Sequence, residues 1–182
     1  MDKDLSLEDH LAELRRRLLI CLLALVLLLI PAFLATPLVL PRIFQPLSRF
    51  GYQAHLYQIT DGLLLRLRLA LLLDITLLSP LLLLEALRFA WPGLWPGERR
   101  SLLLFALLAG FLFSAGVLLF ILKLTPLFVA VWHHHGNTAG AVISAAAYYT
   151  VWQTAALVSG LACCLPALLF PGLRLHKSLE EN

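Results

Sequence analysis

Charge is what this sequence has least of. Its 14 Lys and Arg and 11 Asp and Glu make up 14% of 182 residues, while 60% of the chain is hydrophobic. Soluble domains carry roughly 25% charged residues, so the deficit excludes an ordinary soluble domain and points to a membrane. Cysteine is scarcer still. Cys21 stands apart from the adjacent pair Cys163 and Cys164. Neighbouring cysteines rarely pair and there is no C-x-x-C, so buried free thiols are expected in place of a redox or zinc motif. A phosphate loop, a nucleophile elbow and an H-E-x-x-H are missing too, which leaves an enzyme without positive support and gives neither cofactor nor metal a motif. No basic stripe interleaved with aromatics suggests nucleic acid. The net charge of +3 reflects membrane orientation.

Long apolar runs are what the chain has in plenty. Leu18 to Leu40, Leu69 to Leu84, Leu102 to Leu122 and about Ala145 to Phe170 are each near or above the roughly 20 residues that cross hydrocarbon as helix. The second carries Asp74 and extends to Ala90. These runs predict an all-α, polytopic membrane protein. Residues 1–182 form one transmembrane domain, with spans at about 18–40, 63–90, 102–131 and 145–170. The first run is longer than the about 7 to 15 residues of a signal-peptide core and no A-x-A site follows it, so it reads as a permanent anchor. Lys3, Arg15, Arg16, Arg17, Arg88, Arg99, Arg100, Arg174 and Lys177 fall on one side of a four-span bundle, and Arg42, Arg49, Arg66, Arg68 and Lys123 on the other. Nine basic residues against five put both termini in the cytoplasm.

Before the first span, Ser6 and Asp9 make a capping-box-like start. Leu7, Leu11, Leu14 and Leu18 then form one apolar stripe, with His10, Glu13 and Arg17 on an adjoining polar face. An interfacial amphipathic helix is expected there, turning or continuing into the bilayer. Pro31, Pro37, Pro41 and Pro46 predict a structured but broken external segment from Pro41 to Gly62. "FAWPGLWPGERR" reads as a turn whose Trp91 and Trp95 suit the interface. The third span is expected to end at Lys123 to Pro126, with "HHHGNTAG" as a short solvated loop, since three adjacent histidines point in different directions and make a poor metal site.

Few ionisable groups remain to carry chemistry. Glu13 sits one turn before Arg17, a pairing that contributes about 0.2 to 0.5 kcal/mol on an exposed helix. Glu98 stands before Arg99 and Arg100 at the other turn on the same side of the membrane. Two acids at one face, each beside basic residues, would suit cationic groups and planar guanidiniums best of all. Glu85 and Arg88 read as an interfacial pair. Asp74 costs about 2.5 to 3.5 kcal/mol at a span centre and is expected to face Arg68, Lys123 or Gln153.

"HLAELRRRLL", residues 10–19, resembles the H-L-x-E-L-R-x-R-L start of the TatC family, the receptor subunit of the twin-arginine protein translocase. "SPLLLLEALRFAWPGLWPGERR" resembles that family's second span and following turn, with Ser79, Pro80, Phe89, Pro92, Gly93, Leu94, Glu98 and Arg99 in place. "LKLTPLFVAVW" with Pro126 resembles the exit of the third span, and "AAAYYTVWQTAALVSGLACCLP" with Tyr148, Gly160 and Pro166 resembles the fourth. Pro46 fits the proline of the first external loop, and Arg68 a basic position at the external end of the second span. The resemblance covers almost the whole chain.

It implies a receptor in the bacterial cytoplasmic membrane that binds twin-arginine signal peptides of folded cargo. Glu13, Arg15, Arg17, Phe89, Pro92, Leu94, Glu98 and Arg99 would form its site, and TatA-like and TatB-like single-span proteins would be its partners in a homo- or hetero-oligomer. Three departures stand out: the family ordinarily has six spans where four are seen here, Cys164 replaces a glutamate two residues before Pro166, and Leu84, Glu85, Ala86 and Leu87 replace an aromatic-Gln-x-Trp. They keep two rivals open, a shortened paralogue that scaffolds or regulates, and a small transporter or channel working through Asp74. The small residues Ala155, Ala156, Ser159, Gly160 and Ala162 would let another helix approach the fourth span, which is therefore expected to be the surface for association.

Overall fold

The computed structural model describes residues 7–58, 60–90, 99–136 and 142–180, with side chains placed over 11–58, 60–89, 102–135 and 142–167. Helix α1 runs Leu7–Arg49, α2 Asp61–Ala90, α3 Arg99–Leu119, α4 Thr125–Gly136 and α5 Ala145–Glu180. A π-helical turn over Phe120–Leu124 joins α3 to α4, so the two act as one span. Two short strands, β1 (Gln53–His55) and β2 (Val142–Ser144), pair in parallel with Ala54 opposite Ile143 and tie the two connections at that end of the bundle. Among the described residues, four helical segments are long and apolar enough to cross a membrane. Leu22, Leu23, Leu27, Leu34 and Leu38 on α1 are exposed, as side chains facing lipid would be.

The first segment is one helix. Among the described residues the apolar stripe from Leu11 passes without a break into the run from Leu18, so the helix continues into the span instead of turning. Nor does the chain break at Pro41. Helix α1 continues through Pro31, Pro37, Pro41 and Pro46 to Arg49, and only the stretch around Gly51, with its φ of 77°, turns back. Pro46 is therefore a buried helical residue and not part of an external loop.

Hydroxyls explain part of this tolerance. A proline deprives the carbonyl four residues earlier of its partner, and in hydrocarbon that carbonyl must be satisfied from within the protein. Pro37 deprives Phe33, whose carbonyl accepts from Thr36 Oγ1 at 2.8 Å. Pro80 deprives Thr76, whose carbonyl accepts from Ser79 Oγ at 2.9 Å and from Ser114 Oγ of α3 at 2.6 Å. Ahead of Pro126 the ladder shifts to the π register, with the Thr125 N–H and Oγ1 both donating to the Phe120 carbonyl, the latter at 2.9 Å. The third span accordingly runs past Lys123 and Pro126 as far as Gly136, and His133, His134 and His135 form its last turn instead of a loop.

Sequential helices pack as neighbours: α1 on α2, α2 on α3, and α3 on α5. Close approach is made by glycine. A Cβ on Gly110 would lie 2.5 Å from Pro80 Cα, and one on Gly116 would lie 2.9 Å from Gly160 Cα. Ser159 Oγ donates to the Gly116 carbonyl at 3.2 Å, and Ala156 and Gly160 are fully buried. Ser159 and Gly160 of the fourth span thus pack against α3 of the same chain, while Ala162 is exposed. Most of the core lies at the β-strand end, where Ile43, Leu69, Val117, Tyr148, Tyr149 and Trp152 are completely buried. Among the described residues, the other end, where α1 begins and α2 ends, holds the small cluster of Ala109, Cys164 and Ala167.

Candidate functional site

At that thinner end the helices bring four ionised side chains into a chain. Glu13 and Arg17 are one turn apart on α1, where residues four apart share a face, and Arg17 Nε donates to Glu13 Oε1 at 3.1 Å, joined there by Nη2. Glu85 and Arg88 sit three apart near the end of α2, and Arg88 Nη1 donates to Glu85 Oε1 at 2.9 Å. Because α1 and α2 run antiparallel, Arg17 and Glu85 meet at one depth, and Arg17 Nη1 donates to Glu85 Oε2 at 3.0 Å.

Burial grades along this ladder. Glu85 is 8% exposed, Arg17 21%, Glu13 35% and Arg88 52%. A carboxylate as buried as Glu85 requires partners, since an isolated charge out of water is costly, and each of its oxygens has a guanidinium. Glu13 is the accessible acid. Arg15 and Arg16 are exposed on the neighbouring faces of α1. Both local pairs were legible in the sequence; the Arg17–Glu85 link was not, and its signal is opposite charge at equal depth on consecutive antiparallel helices.

Other site candidates fare unequally. Phe89 is half-buried one residue beyond Arg88. Glu98, Pro92 and Leu94, with Trp91 and Trp95, lie outside the described residues, and Arg99 opens α3 with its side chain outside them. Asp74 is fully buried, and among the described residues neither of its oxygens has a hydrogen-bond partner. The expected pairing with Arg68, Lys123 or Gln153 is thus not made. Eleven residues before Glu85, Asp74 shares the α2 face that meets α1, away from Gln153 on α5. Arg68 instead reaches Thr150 Oγ1 at 3.5 Å.

At the β-strand end Tyr148 is buried with its hydroxyl donating to the Ile43 carbonyl at 3.0 Å. His133 is half-buried against Phe50 and hydrogen-bonds Tyr52 Oη at 2.9 Å through Nδ1, so it belongs to the packing and not to a solvated loop. The cysteines are free as expected, but only Cys164 is buried, donating to the Leu161 carbonyl at 3.2 Å; Cys21 and Cys163 are half-buried. Pro126 and Pro166 are exposed on their helices.

Fold and site together define a polytopic helical membrane protein in which Glu13, Arg17, Glu85 and Arg88 form a chain of ion pairs at one end, with Glu13 its more accessible acid. Comparison with known proteins gives this class a family. The family model described as Sec-independent protein translocase protein (TatC) matches residues 9–176. The chain belongs to the TatC family. It is 29% identical over its full length to the Sec-independent protein translocase protein TatC of Methanocella arvoryzae, covering 76% of that protein. It is 34% identical over 117 residues to the protein of that name from Halalkalibacterium halodurans, a match spanning 64% of this chain and 46% of the relative. A crystal structure of the twin-arginine translocase receptor TatC in DDM superposes with a TM-score of 0.76 at 25% identity, covering 91% of this chain and 76% of that one.

Proposed function

We propose that this protein is a receptor for twin-arginine signal peptides, working without covalent chemistry at the cytoplasmic face of the cytoplasmic membrane. The observation that carries the reading is the partly exposed Glu13 carboxylate at the mouth of the apolar first span, already engaging a guanidinium. A site that holds Arg17 this way has the geometry an arriving arginine needs. Glu98, the second acid beside arginines in the sequence, would take the second arginine. Arg15, Arg17 and Arg99 would flank the two acids, and Phe89, Pro92 and Leu94 would line the approach. Both termini lie in the cytoplasm on the nine-to-five asymmetry of basic residues. TatA-like and TatB-like single-span proteins are its partners, and transport draws on the protonmotive force, in keeping with a sequence that has no phosphate loop.

Binding of a fluorescent twin-arginine peptide to the full chain in lipid nanodiscs tests this. Glu13→Ala and Glu98→Ala should each weaken binding by more than about tenfold, because a hydrogen bond to a charged group contributes about 1.5 to 3 kcal/mol. A twin-lysine peptide should bind the parent poorly, since an ammonium cannot make the two-pronged contact. Equal affinity for both peptides, unchanged by either substitution, would leave Glu13 with a local helix pair and no receptor role.

A further inference from the structure

The acid that this reading places at the centre of recognition is already half occupied. Both Arg17 contacts fall on Glu13 Oε1, and among the described residues Glu13 Oε2 has no hydrogen-bond partner. The opposite edge of the same guanidinium is held by Glu85, which is too buried for a peptide to reach and is itself kept in place by Arg88. We infer that Arg17 is an internal stand-in for the signal peptide's arginine, and that Glu85 is a positioning residue that keeps Arg17 partnered while Glu13 exchanges it for the arriving guanidinium. This rests on the receptor reading above.

The exchange follows from the donor and acceptor inventory. A carboxylate offers two oxygens and a guanidinium five N–H groups in a rigid fork. An incoming arginine can therefore engage Glu13 Oε2 before Arg17 leaves Oε1, and Arg17 can let go of Glu13 while its Nη1 stays on Glu85. At no stage is a charge left unpaired at the membrane boundary, where that would be costly. Bridging two carboxylates needs both edges of the fork, which explains arginine at position 17; a lysine there holds one acid at a time.

The two partners of Arg17 compete for it, so substitutions should move peptide affinity in opposite directions. In nanodisc-held full-length protein, Arg17→Gln should bind the twin-arginine peptide about fivefold more tightly, the upper end of what a partly exposed ion pair resists. Arg17→Lys, which retains the charge, should also bind more tightly than the parent. Glu85→Gln should bind it several-fold more weakly, because Arg17 then stays on Glu13, and this weakening should vanish in the Arg17→Gln background. Arg16→Gln removes the same charge from an exposed neighbour and should change little. If the parent prefers twin-arginine over twin-lysine peptide but Arg17→Gln and Arg17→Lys bind no better than it, the exchange is wrong and the receptor reading stands. Tightening by Arg16→Gln equal to that by Arg17→Gln would reduce the effect to net charge and overturn the inference, and a Glu85→Gln defect that persists without Arg17 would overturn the positioning role. A parent with no preference between the peptides would overturn both the inference and the receptor reading.

Discussion

Gly110→Leu should prevent α2 and α3 from packing. The Cβ alone would meet Pro80 Cα at 2.5 Å and Pro80 N at 2.8 Å, and these are backbone atoms that no rotamer change can move aside. Separating the helices would also strain the hydroxyl cluster that replaces the N–H lost at Pro80, since Ser79 Oγ reaches the Gly110 carbonyl at 3.0 Å and Ser114 Oγ the Thr76 carbonyl at 2.6 Å. Overpacking against adaptable side chains costs about 1 to 3 kcal/mol; against backbone, with the proline gap reopened, we expect more than about 3 kcal/mol and little folded protein in membranes. Gly62→Ala is the matched control, because its new Cβ meets only Leu56 Cδ1 at an ordinary 3.6 Å. Thermal unfolding in detergent, with recovery from membranes, reads both. A Gly110→Leu variant as stable as Gly62→Ala would show that the glycine is not what lets these helices touch.

Trp152→Ala should be nearly as damaging, for a different reason. The side chain is completely buried, stacks near Phe120 and Tyr149 at centroid distances of 5.9 and 5.7 Å, and donates Nε1–H to Thr125 Oγ1 at 3.1 Å. Thr125 is the residue at which the π turn hands over to α4, so Trp152 ties α5 to the irregular point of the third span. In a water-soluble core such a truncation costs about 3 to 5 kcal/mol. Lipid removes the hydrophobic share of that, leaving packing and the cavity, so a loss of roughly 2 to 4 kcal/mol is expected. Trp152→Phe keeps most of the ring contact and loses the hydrogen bond, which contributes about 0.5 to 1.5 kcal/mol. Equal melting temperatures for the two variants would place the stabilisation in the hydrogen bond alone.

Much of this arrangement is visible in the sequence, because membrane helices announce themselves by length and apolarity. Four spans, the Glu13–Arg17 and Glu85–Arg88 pairs and the family motifs follow from spacing and composition. The expectation of breaks at proline follows from its behaviour in water, where a freed carbonyl turns to solvent. Thr36–Pro37, Ser79–Pro80 and Thr125–Pro126 repeat a hydroxyl immediately before a proline, and each hydroxyl donates to a carbonyl of the preceding turn; Leu40–Pro41 and Gln45–Pro46, where the break in α1 is expected, lack that device. The partners of Asp74 and the Arg17–Glu85 link depend on a different property. Periodicity assigns a residue to a helix face but not that face to a neighbour, so the Arg17–Glu85 bridge and the separation of Asp74 from Gln153 emerge only from the packing of α2 between α1 and α3.

The central claim is that arginines are recognised at the end of the bundle where Glu13 lies, and photo-crosslinking in native membranes addresses it most directly. A crosslinking amino acid placed at the exposed Leu14 or the exposed Ala86, beside Glu13 and Glu85, should capture a twin-arginine signal peptide; one at the exposed Tyr57, at the β-strand end, should not. Replacing the twin arginines by lysines should reduce capture at Leu14 and Ala86 by about tenfold, the factor that losing one charge-assisted contact implies. Capture at Tyr57 as strong as at Leu14, or capture at Leu14 unchanged by the lysine replacement, would contradict the account.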